Sequence, residues 1–213
     1  MEARYNYVVI EGNIGAGKTT LAKRIAEEFN ARLILEHFAD NPFLPKFYSD
    51  PEKYSFPLEL SFLASRYRQL KEELVIQDLF RSFTVADYYF MKSLVFAAST
   101  LEGDEFNLYR QIFYIIYGSL PKPDLYVYLH LNPDRLLKNI EKRGRTYEKG
   151  ITREYLQTVQ ESYFAFFKQN PENKYLIIDI NDIDFVNNET HYKKIIETIF
   201  GKDYNAGMNM GIM

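Results

Sequence analysis

Eight residues near the start of the chain constrain it most: Gly12-Asn13-Ile14-Gly15-Ala16-Gly17-Lys18-Thr19. They match G-x-x-x-x-G-K-[ST] in full, a pattern that has meaning only between a strand and a helix. Both flanks are of that kind. Residues 7–11 (YVVIE) are a short β-branched run, and 19–29 carry Leu21, Ile25, Ala26 and Phe29 on one helical face. Glycines let such a loop curl until its N–H groups converge on phosphate oxygens, at a helix end whose dipole favours anions. Lys18 is then expected to neutralise the β- and γ-phosphates, and the Thr19 hydroxyl to ligate Mg2+.

The remaining pattern alternates. Further strands are predicted over 32–35, 83–86, 124–131 (DLYVYLHL) and 175–180. Helices are predicted over 55–74, 90–101, 105–120, 133–143, 153–168 and 189–200, with turn signals at Asn41-Pro42, Asp50-Pro51, Pro121 and Pro123. Strands alternating with helices imply right-handed crossovers. The expected fold is therefore α/β, a P-loop kinase fold: a five-stranded parallel sheet with helices on both faces and an arginine-bearing lid. One domain is expected over 1–200, with the lid over 142–150 and a disordered, glycine- and methionine-rich tail over 201–213.

Composition narrows the partners. The formal net charge is −3, from 26 Lys plus Arg against 29 Asp plus Glu. Nucleic acid or an anionic membrane calls for a basic excess, so a small ligand is expected instead. The chain has no cysteine, which removes disulfides and thiolate chemistry, and its three histidines (His37, His130, His191) are scattered. No signal pattern opens the sequence, and a cytoplasmic protein is expected. The 18 Tyr and 17 Phe are read mainly as core, with a few left to form a slot for a base.

In an open parallel sheet, ligands sit beyond the carboxyl ends of the strands. Glu36 ends the second predicted strand and Asp87 the third. A hydroxyl acceptor needs a carboxylate to take its proton, which assigns Glu36 as base and leaves Asp87 near Mg2+, through a water. Lys142-Arg143-Gly144-Arg145 places three cations in four residues, as a closing lid would need to stabilise equatorial phosphoryl oxygens.

At this point the chain resembles the deoxynucleoside kinase family, over residues 7–185. The stretches that carry the likeness are EGNIGAGKTTLA (11–22), NPFLPKFYSDPEKYSFPLELSFLASR (41–66), KPDLYVYLHL (122–131) and KRGRTYEKGITREYL (142–156). The resemblance implies ATP as donor, bound through residues 12–20 (Thr20 included) and, at its adenine, by the Asp184–Phe185 region. It implies a deoxynucleoside as acceptor. Glu36 corresponds to the base that deprotonates the sugar 5′-hydroxyl, and Tyr48 with Glu148 to the pair that binds the 3′-hydroxyl. Arg143 and Arg145 match the lid arginines, Arg66 an arginine near the base pocket, and Phe96 an aromatic that stacks on the base. A homodimer packed through helices is also implied.

The chain departs from the family pattern in places. Tyr88 and Tyr89 follow Asp87 where the family has Arg-Ser, Glu59 stands for a base-reading glutamine, and Asn139 for a lid-helix arginine. An ionised glutamate only accepts hydrogen bonds, which suits guanine N1–H and N2–H2 and favours a purine, deoxyguanosine ahead of deoxyadenosine. Arg66 or Lys92 would then either donate to guanine O6 or neutralise Glu59. Two alternatives stand beside this one. One is a nucleoside monophosphate kinase of the thymidylate kinase type; the other is a silent nucleotide-binding subunit like the kinase-like accessory subunit of respiratory complex I.

Overall fold

The structure, a computed structural model, describes residues 4–37, 41–75 and 80–211. Its strands are β1 (Tyr7–Gly12), β2 (Arg32–Ile34), β3 (Thr84–Ala86), β4 (Leu125–His130), β5 (Lys174–Asp179) and β6 (Gly207–Gly211). They form a parallel sheet in the order β2-β3-β1-β4-β5-β6. The helices are α1 (Lys18–Glu28), α2 (Leu44–Ser49), α3 (Pro51–Val75), α4 (Met91–Thr100), α5 (Gly103–Tyr117), α6 (Pro133–Arg143), α7 (Arg153–Gln169) and α8 (Glu189–Phe200).

Successive strand residues point to opposite faces, and this chain uses the alternation to build two different cores. Val8, Ile10, Leu125, Val127, Leu129, Leu176 and Ile178 face α1, α6 and α8 in a largely aliphatic layer. Tyr7, Val9, Tyr126, Tyr128, Tyr175 and Ile177 face α3, α4, α5 and α7, where Phe113, Tyr163 and Phe167 meet them. The high tyrosine count is thus mostly core, as expected. Among the described residues no helix is long and apolar enough to cross a membrane.

Two expectations are corrected. The sheet has six strands rather than five, because the tail thought to be disordered folds as β6; its last two residues, 212–213, lie outside the described residues. Residues Gly207–Gly211 pair with Lys174–Ile178. The Asn209 amide secures the turn by donating to Tyr175 O, Asn205 O and Gly207 O, and Tyr204 is buried beside α8. Backbone pairing to an open edge needs no hydrophobic pattern, so Met208 and Met210 remain exposed and composition carried no sign of the strand. The short α2, between the two proline turns, was also unforeseen, since six residues are too few to show a helical period.

Candidate active site

The phosphate loop follows β1 at the carboxyl edge of the sheet. Gly12, Gly15 and Gly17 all have positive φ. Gly15 cannot gain a Cβ without meeting Leu136 O at 2.9 Å, nor Gly17 without meeting the Phe185 ring at 2.8 Å. Gly17 precedes α1 and no side chain caps that helix, so its first N–H groups face the loop's hollow. Asn13 is buried, receiving Ile14 N–H at its own Oδ1 and donating to Leu156 O. Asn139, at the position of the missing arginine, donates to Gly15 O at 2.9 Å and so supports the loop from α6. Lys18 Nζ donates to Asn13 O at 2.9 Å. Thr20 is exposed on the first turn of α1.

Asp87, just past β3, joins this loop to Glu36. Its Oδ2 accepts the Thr19 hydroxyl, and its Oδ1 accepts Glu36 N–H at 2.9 Å. Glu36 lies just past β2 with its side chain 9% exposed. Arg66 of α3 donates to Oε1 through Nε at 2.9 Å and reaches the same oxygen through a second nitrogen at 2.8 Å. Lys92 of α4 binds Oε2. Burial alone would raise this carboxyl's pKa; the Lys92 and Arg66 charges overcome it and hold it down at about 2. Both cations therefore serve Glu36, and the pairing with Glu59 considered above does not occur.

Glu59, Phe62 and Arg66 share one face of α3 at spacings of three and four. Glu59 is buried; Oε1 accepts the Thr100 hydroxyl at 3.0 Å, and Oε2 has no hydrogen-bond partner. Burial pushes this carboxyl up to about 7, against the pull of Arg66. Phe96 stands one turn from Lys92 on α4, its ring centroid 5.4 Å from the ammonium.

The lid residues come last. Gly144, with φ 71°, ends α6 and turns the chain into a 3-10 turn, Thr146–Glu148. Glu148 is buried and receives Arg143 at 2.5 and 3.1 Å and Arg145 at 3.4 Å. Tyr48 of α2 lies over Tyr147, ring centroids 6.4 Å apart, and burial followed by the Glu148 charge raises its phenol pKa.

One cleft, with about 870 Å³ of empty space partly open to solvent, is lined by Lys18, Thr19, Glu36, Tyr48, Glu59, Arg66, Asp87, Phe96, Arg143, Arg145 and Glu148. Ile14 and Gly15 border it as well. The Asp184–Phe185 loop sits apart. Phe185 is buried against Gly17 and its carbonyl accepts Arg24, while the exposed Asp184 folds its carboxylate onto Val186 and Asn187. Sequence reasoning gave no site role to Glu11, Phe62, Tyr147 or Tyr155. Phe62 was open to discovery from its helical spacing to Glu59. Glu11, buried at the end of β1, bonds Tyr89 N–H and the Tyr163 hydroxyl and is pushed up to about 7 by burial; nothing local marks it.

A phosphate loop facing a buried carboxylate and converging arginines defines a P-loop phosphotransferase. The chain belongs to the deoxynucleoside kinase family, whose model matches residues 8–203. A deoxyguanosine kinase of Bacillus subtilis (strain 168) is 38% identical over 196 residues, 89% of this chain and 93% of its own length. A deoxyadenosine kinase of Dictyostelium discoideum is 33% identical over 189 residues, 86% of this chain and 75% of its own. For the fold, a structure of deoxyadenosine kinase from M. mycoides with dCMP and a flexible dCDP bound superposes with a TM-score of 0.79. Its sequence identity is 23%, and the match covers 92% of this chain and 100% of that one.

Proposed function

We propose that this deoxynucleoside kinase works in the cytoplasm on purine deoxynucleosides, deoxyguanosine ahead of deoxyadenosine, moving the γ-phosphoryl group of ATP to the 5′-hydroxyl. The observation that carries the base preference is Glu59 Oε2, a buried acceptor in the cleft without a partner. Guanine presents N1–H and N2–H2 side by side, and an ionised carboxylate can accept both. Phe96 would stack on the base, and Tyr48 with Glu148 would hold the 3′-hydroxyl. The two relatives, a deoxyguanosine and a deoxyadenosine kinase, agree with a purine.

Glu36 is the base in this reading. As O5′ bonds to the γ-phosphorus, the bond to the β-phosphate oxygen breaks, the O5′ proton passes to Glu36 and ADP leaves. Lys18, Arg143 and Arg145 neutralise charge that builds on the phosphoryl oxygens. The Thr19 hydroxyl and Asp87 carboxylate, already facing each other beside the loop, suit Mg2+, which takes few protein ligands alongside phosphates and water. When bound, the ion would offset the charge on the β- and γ-oxygens. The ATP adenine would lie toward Asp184 and Phe185. Two copies would associate through helices, and Leu108 and Ile115, both exposed on α5, offer apolar surface for this.

The test is a coupled assay with ATP against the four deoxynucleosides and their monophosphates. A purine deoxynucleoside should be the best acceptor, and Glu36→Gln should lower kcat about 10²–10⁴-fold with ATP binding retained. Turnover of monophosphates alone would support the thymidylate-kinase type instead, and a wild-type kcat in Glu36→Gln would remove this residue from the chemistry.

A further inference from the structure

Five cations face the cleft, and they are held unequally. Lys18 is tied to its own loop, and Arg143 and Arg145 bind Glu148. Arg66 is fixed by two contacts to Glu36 Oε1 and a third bond, at 3.1 Å, to Ser93 Oγ. Lys92 is 8% exposed on the first turn of α4, and its hydrogen bond goes to Glu36 Oε2.

That asymmetry has a chemical consequence, which rests on Glu36 being the base. An acceptor hydroxyl must bind one of its two oxygens. Oε1 is occupied by a rigid guanidinium with its own second anchor, whereas Oε2 is held by an ammonium on a flexible four-carbon stem. The hydroxyl therefore displaces Lys92 more easily than Arg66. A buried ammonium freed in this way needs another anion, since a lone buried charge is costly. Lys92 and Lys18 line the same cleft, joined by a short chain of contacts: Lys92 binds Glu36, Glu36 N–H bonds Asp87, and Asp87 bonds Thr19 beside Lys18. Two ammoniums in one cleft repel until a strongly anionic group lies between them, and the γ-phosphate is such a group.

We propose that Lys92 is a second phosphoryl-facing lysine: it holds Glu36 in place before the acceptor binds, then donates to a γ-phosphoryl oxygen once the acceptor hydroxyl occupies Glu36 Oε2. Lys92 forms no covalent bond. It gives charge and one N–H to the transferring group while the O5′ proton goes to Glu36.

Lys92→Met tests this in steady-state kinetics with ATP and with ATPγS. Loss of a donor aimed at transition-state charge should lower kcat about 10²–10³-fold and change the acceptor KM by less than about threefold. The ATP/ATPγS rate ratio should fall at least about threefold, because sulfur no longer perturbs a contact that is gone. Lys92→Arg, which keeps the charge, should recover at least about tenfold of the lost rate. Should Lys92→Met not fold, Lys92→Gln asks the same question with a neutral donor to Glu36. A kcat within about threefold of wild type, a loss confined to KM, or an unchanged sulfur ratio would overturn the proposal. If Glu36→Gln is slow while Lys92→Met is not, only the role of Lys92 fails; if Glu36→Gln is fast, the reading of the base fails first.

Discussion

Glu11, Glu36 and Glu59 are all buried carboxyls, yet their neighbours give them different chemistry. Glu36 meets two cations and is held down at about 2, whereas Glu59 meets a hydroxyl and is pushed up by burial to about 7. Near neutral pH, Glu59 is thus divided between a neutral form, which donates and accepts as glutamine does, and an ionised form, which only accepts. Glu59→Gln should erode the preference for deoxyguanosine over deoxyadenosine about tenfold, the usual worth of one buried charge-assisted bond. A ranking of kcat/KM values unmoved by the substitution would sink that idea. The same residue affects stability. The unfolded carboxyl titrates near 4.5 and the folded one near 7, so the folded state holds the extra proton between those values. Its contribution is full below 4.5 and is lost as pH rises through about 7. Glu59→Gln should therefore raise the unfolding free energy at pH 8, relative to wild type, by about 2–3 kcal/mol more than at pH 5. Urea melts at the two pH values measure the difference.

At the scale of elements, α6 and the turn that follows it work in three parts. Asn132 caps α6 by accepting Arg135 N–H, Gly144 closes it in a left-handed conformation, and the 3-10 turn presents Glu148 inward. Arg143 and Arg145 flank the glycine, so the reversal brings both guanidiniums onto one carboxylate at the cleft. They were expected to arrive only on closure of a loop. In the structure they already line the cleft, held by the residue proposed to bind the 3′-hydroxyl. Arg143→Ala or Arg145→Ala should lower kcat about 10²-fold and raise the acceptor KM much less. Equal loss in ground-state affinity with kcat intact would make the arginines binding groups instead.

On the scale of the whole molecule, β6 closes the sheet far from the cleft, and it covers an edge that β5 would otherwise expose. Ending the chain at Gly201 should cost about 2–3 kcal/mol and lower Tm by roughly 4–12 °C, with kcat/KM kept within about threefold. Calorimetry of the shortened chain measures the loss, and an unchanged Tm would show that the strand contributes nothing. No local signal announces this strand: its alternation turns the two methionines outward, so no apolar face marks it, and the strand exists because β5 offers unpaired N–H and C=O groups. The contrast with β1 is instructive. The run YVVIE, the glycines of the loop and the period of α1 each act over a few neighbours, so phosphate loop, five strands and most helices could be read from the sequence, as could Glu36 and Asp87 at strand ends. The resemblance to the deoxynucleoside kinase family also pointed to Glu59, Arg66, Arg143, Arg145 and Glu148, which the structure brings to one cleft. It could not say which charges would meet. Arg66 and Lys92 bond Glu36 and reach Glu59 only through their charge, because of how α3 and α4 pack against each other, and Glu148 holds Arg143 and Arg145 where the turn after α6 packs on α2. Such pairings depend on ångström distances between elements remote in sequence, where burial multiplies the energy of each charge, and only the tertiary structure decides them.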